Sequence, residues 1–157
     1  MDLIAEHSGV TKRTLYNQFG SKDHLVAVYL TERDRRWRSL VQATVDASAT
    51  PRDAVLAPFE ALATWSTTNT RGCAFINALA ELPDPAHPAH RIATAQKLWL
   101  LDLFETLAAA ADCPAPTPLA RAPPPPRGRP RHPAPPLDTL TEATALARTL
   151  ITSATRH

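Results

Sequence analysis

The densest run of recognition chemistry in this 157-residue chain lies near its start. Thr11, Lys12, Arg13, Thr14, Tyr16 and Asn17 fall together, and Lys22 follows closely. Lysine ammonium groups and threonine or tyrosine hydroxyls donate to phosphate oxygens, while arginine and asparagine side chains match base edges. At helical spacing, residues 12–19 (KRTLYNQF) turn Leu15 and Phe19 to one side and the polar groups to the other. The chemistry offered is binding, not turnover.

So short a helix cannot stabilise itself and needs neighbours to hold it. Residues 2–8 (DLIAEHS) put Leu3, Ile4 and His7 on one helical face, with Asp2 at the start. Gly9 then supplies a cheap reversal, and Thr11 is a good cap for the helix 12–19, with Val10 before it as a staple. Gly20 ends that helix, and Ser21 caps a third that is expected to run from Lys22 to about Ser48. Two short helices joined by a glycine turn form a helix-turn-helix. A generic helical hairpin has the same spacing. The polar content of the second helix favours the recognition motif.

The run DLIAEHSGVTKRTLYNQFGSKDHLVAVYL, residues 2–30, resembles the signature of the tetracycline-repressor (TetR) family of transcriptional regulators. Its Lys-x-Thr-Leu-Tyr-x-x-Phe helix and the following Ser-Lys-x-x-Leu match at nearly every diagnostic position. A weaker likeness, to the ligand-binding region of such regulators, runs through residues 72–107. The resemblance implies binding to double-stranded DNA at a palindromic operator by a homodimer. Thr11, Lys12, Tyr16 and Lys22 would hold phosphates, and Arg13, Thr14 and Asn17 would lie nearest the bases. It also implies an unknown small apolar effector, in a cavity drawn from Phe59, Trp65, Phe75 and Trp99, with Asn77, Glu81 and Gln96 as polar groups. Family members carry a further helix ahead of the motif, so Leu3, Leu15 and Phe19 are expected to lack their usual lid, and a truncated reading frame is the favoured account. One stripe in 137–154 remains as a dimer helix, which predicts a weak dimer.

Scarce glycine and abundant alanine and leucine favour an all-α fold: the helix-turn-helix in 1–30, followed by a helical effector-binding and dimerisation domain. The third helix places Leu25, Val28 and Tyr29 against the motif. It then crosses a charged patch, Glu32 to Arg36, read as a solvated face with local ion pairs, before Trp37, Leu40, Val41 and Val45 resume an apolar stripe. Thr50-Pro51-Arg52-Asp53 opens a helix to about Thr68, with a kink expected at Pro58. A short helix over 73–82 stops at Pro83. The helix 89–111 is apolar on two sides, with Leu100, Phe104 and Ala108 on the second, and should sit centrally in a domain spanning 31–113. Residues 114–136 hold eleven prolines and should form no helix, whereas 137–157 return to helical periodicity.

Other chemistries find little support. The net charge of +2 divides into +1 over residues 1–50, −3 over 51–113, +4 over 114–136 and zero beyond, so global charge is no evidence for nucleic acid. Cys73 and Cys113 are too far apart for a zinc pair, and His87 and His90 lack a third ligand. No P-loop, nucleophile elbow or carboxylate pair occurs, so neither an enzyme nor a cofactor or metal is expected. With no signal peptide or long apolar run, the chain should be a soluble cytoplasmic protein without a membrane partner. The rival to a ligand-relieved repressor is a degenerate helical binding protein that no longer grips DNA.

Overall fold

Four of the helices begin where a side chain accepts from a first-turn amide, at Thr11, Ser21, Thr50 and His87. The computed structural model describes residues 1–69 and 71–112. Its helices are α1 (Asp2–Ser8), α2 (Lys12–Phe19), α3 (Lys22–Asp46), α4 (Pro51–Thr68), α5 (Ala74–Glu81) and α6 (Pro88–Ala110). Among the described residues there is no strand, and the class is all-α as expected. The Pro-rich stretch 114–136, the expected helix 137–154 and Cys113 lie outside the described residues.

Thr11, Ser21 and Thr50 cap α2, α3 and α4, their hydroxyls accepting the backbone N–H of Thr14, His24 and Asp53. Gly9 turns the chain between α1 and α2 in the left-handed region, at φ 68°, which a side chain would resist. Pro51 and Pro88 occupy first-turn positions of α4 and α6. His87 caps α6 by accepting the Ala89 N–H at its Nδ1, and the His90 ring binds the Leu82 carbonyl at 2.8 Å. The two histidines therefore fix the α5–α6 corner.

The long helix α3 packs against α4 and α6, and α5 packs on α6. One core cluster joins Leu30 to Phe75, Ala78, Ala89 and Ala93; a second joins Trp37, Val41 and Ala61; a third joins Val55, Leu107 and Ala111. Alanines at the crossings let the helix axes approach closely, and the larger side chains fill the space beside them. Helix α4 continues through Pro58, which is itself buried.

One expectation about faces needs correction. Val28 and Tyr29 are 42% and 52% exposed, and do not pack under the motif. The stretch 25–30 is apolar all round, and its neighbours Val26, Ala27 and Leu30 are the ones turned inward. The second apolar side of α6 is also used within the chain. Phe104 meets Phe59 with ring centroids 5.6 Å apart, Ala108 is buried, and Leu100 is half-buried.

Candidate nucleic-acid interface and effector cavity

Helix α2 rests on one side chain. Leu15 is buried, Phe19 is half-buried, and every other residue of the helix is exposed. The outward set therefore contains Lys12, Arg13, Thr14, Tyr16 and Asn17, preceded by Thr11 and followed by Lys22 at the start of α3, all exposed. The structure brings all seven expected contact residues onto one short stretch of surface. Thr11 and Thr14 also share a hydroxyl–hydroxyl bond of 2.8 Å that fixes the first turn. Lys12 Nζ sits 2.8 Å from the Asp2 carboxylate, linking α1 to α2. This bond lowers the Asp2 carboxyl below its usual range and raises the Lys12 ammonium above its own. Both groups are solvent-exposed, so the pair orients more than it stabilises.

The cap and glycine chemistry sets the turn between α1 and α2, and the Ser21 cap aims α3 away from it. Leu3, Leu15 and Phe19, expected to be uncovered, differ in exposure, and Phe19 is half-buried. Leu3 is 71% exposed, but Leu15 is 7% exposed, and both α1 and α3 pack against its helix.

A second feature lies in the helical body. A cavity of about 280 Å³ opens between α3, α4, the start of α5, and α6. Trp65, Phe75 and Gln96, expected on sequence grounds, line it. Phe59, Asn77, Glu81 and Trp99 are not part of its wall. Phe59 is engaged with Phe104, and Trp99 lies under the Arg38 guanidinium at 4.5 Å. The wall adds residues the sequence reading missed, notably Arg33, Trp37 and Lys97. Trp37 and Trp65 meet edge to face, with centroids 5.7 Å apart.

Arg33 departs from the solvated-patch reading. Arg35 and Arg36 do pair locally with Glu32, whose carboxyl is lowered to about 2, chiefly by the Arg35 hydrogen bonds. Arg33 instead donates to the Asn69 side-chain oxygen at 2.8 Å and lies over the Trp65 ring at 5.1 Å. The signal was available, since Leu30, Arg33, Trp37 and Val41 follow helical spacing and share the inward stripe. Arg33, Trp65 and Asn69 also face a second, wider groove, which is bounded by Phe19, Leu25, Val28 and Tyr29 beside the motif.

The described residues thus define a helix-turn-helix protein with a recognition helix facing outward and a helical domain behind it. Residues 1–29 match the family model for bacterial regulatory proteins of the tetR family. The chain is 32% identical over 94 residues to the HTH-type transcriptional regulator YjdC of Escherichia coli, an alignment covering 59% of this chain and 48% of that one. It superposes on a TetR-family transcriptional regulator of Streptomyces coelicolor at a TM-score of 0.65 and 40% identity, covering 70% of this chain and 59% of that one. A regulator of the same kind from Streptomyces avermitilis gives a TM-score of 0.64 at 27% identity, over 96% of this chain and 74% of that one. The chain is thus similar to transcriptional regulators of the TetR family, most specifically in its helix-turn-helix. It spans about half the length of the curated relatives it matches.

Proposed function

We propose that this chain is a DNA-binding transcriptional regulator, not an enzyme, and that it represses by seating α2 in the major groove of a palindromic operator as one half of a homodimer. One observation carries the reading: a capped helix that buries only Leu15 turns Lys12, Arg13, Thr14, Tyr16 and Asn17 outward together. Lys12, Tyr16, Thr11 and Lys22 would set the register on phosphates, and Arg13, Thr14 and Asn17 would read bases. Relief by a small effector is supported by the placement of α3. Its first turns lie beside the motif and its middle lines the cavity through Arg33 and Trp37. A ligand that alters how α3 sits against α4 and α6 changes the angle at which α2 is presented. A solution setting fits the absence, among the described residues, of any helix long and apolar enough to cross a membrane.

In vitro selection from randomised duplex DNA tests the proposal. Enrichment of one inverted repeat, bound with a steep salt dependence, is the expected result. Failure to enrich any sequence would leave the helical body as a binding protein without an operator.

A further inference from the structure

The polar groups of the body cavity specify the chemical class of its occupant, an inference that rests on reading the cavity as an effector site. The lining is largely apolar, with Trp37, Trp65 and Phe75 prominent. Into it come two cations, Arg33 and Lys97, and no acidic side chain is part of the wall among the described residues. Arg33 uses one nitrogen on Asn69 and stacks on Trp65, which leaves the rest of its donor fork without a carboxylate at this wall. Lys97 reaches only a sulfur within the cavity, Cys73 Sγ at 3.6 Å, a weak acceptor.

Two buried dipoles point the same way. Trp37 is 7% and Gln96 2% exposed, yet Trp37 Nε1 and Gln96 Oε1 have no hydrogen-bond partner. Buried polar atoms without partners are uncommon and expensive, and both of these belong to side chains on the cavity wall. Three donors and one acceptor around an aromatic space fit one kind of molecule.

We infer that the cavity takes an aromatic or similarly apolar carboxylate bearing one hydroxyl or N–H. Arg33, Lys97 and the Trp37 N–H would hold the anion, and Gln96 would accept from the donor. The low dielectric of an apolar wall strengthens such contacts relative to water. A volume of about 280 Å³ limits the occupant to a small, one- or two-ring body. The anion would also draw Arg33 away from Asn69, at the wall shared with the groove beside Phe19.

Calorimetric titration of the protein without DNA tests this, using 6-hydroxy-2-naphthoate and its neutral amide. The acid should bind at least about ten-fold more tightly than the amide, the scale of one charge-assisted hydrogen bond. Arg33→Gln and Lys97→Met should each weaken the acid by roughly that factor and leave the amide within about two-fold, which also shows the variants are folded. Should Arg33→Gln not fold, Lys97→Met carries the test alone. Equal affinity for acid and amide overturns the inference, as does an acid preference that survives Lys97→Met, or no binding of either probe. Because DNA is absent, these results stand apart from operator binding. Adding the selected duplex afterwards asks separately whether the acid loosens it.

Discussion

The helix-turn-helix and the helical body are stabilised in different ways. In α1 and α2 only Leu15 is buried, and order comes from the Thr11 and Ser21 caps, two glycine turns and the exposed Asp2–Lys12 pair. In α3 to α6, order comes from packed side chains such as Leu30, Val41 and Leu56, all nearly inaccessible. A surface meant for a partner cannot also be spent on a core. The motif therefore leans on local hydrogen bonds, each worth about 1 kcal/mol, while the body uses burial worth several per side chain.

That contrast sets the scale of the expected effects. Leu56→Ala in α4, at a site 2% exposed, should cost about 2–5 kcal/mol and lower the midpoint of global denaturation. Leu15→Ala removes the one buried anchor of α2 and should cost about 2–3 kcal/mol. The loss should appear mainly as faster hydrogen exchange in α1 and α2, with the α3–α6 amides unchanged. If exchange accelerates equally in the body, the two regions fold as one unit and the contrast fails.

Thr11→Ala comes next. Loss of the cap to the Thr14 N–H should cost about 1 kcal/mol, read as fraying of α2 in the same exchange experiment. Asp2→Asn is the sharper control. It removes the partner of Lys12 and should leave the denaturation midpoint unchanged, because the pair is solvent-exposed. Operator affinity should stay equal or improve, since Lys12 no longer divides its charge. The smallest effect is one of pH. Glu32 has its carboxyl held at about 2 in the fold against an ordinary 4.5, so its ion pairs with Arg35 and Arg36 contribute fully above about 4.5. That contribution fades as pH falls towards 2. Carboxyl resonances followed by NMR should show the low midpoint, and Arg35→Ala should raise it.

The motif was legible in the sequence because its signals are local. Caps, glycines and the Leu15–Phe19 spacing each act within a few residues, and α2 begins and ends where they place it. The helix boundaries of the body were also close to expectation, since Thr50-Pro51 and His87-Pro88 announce their own starts. Facing was harder. Residues 25–30 are apolar on every side, so periodicity gave no direction, and tertiary packing chose Ala27 and Leu30 over Val28 and Tyr29. The cavity was half legible. Aromatic content pointed to Trp65 and Phe75, but a cavity is made of gaps between four elements, and no local pattern predicts which side chains border it. Arg33 was hidden by its charged neighbours, although its spacing from Trp37 placed it on the inward stripe.

The claim that α2 reads DNA is tested most directly by titrating two variants against the selected duplex and a panel of single base-pair changes. Asn17→Ala should relax discrimination at one position by about 1–3 kcal/mol and leave the others intact. Lys22→Ala should weaken all duplexes alike and reduce the salt slope by roughly one. Asn17→Ala with the full base preference of the parent, and Lys22→Ala with an unchanged salt slope, would contradict the assignment of this surface to DNA.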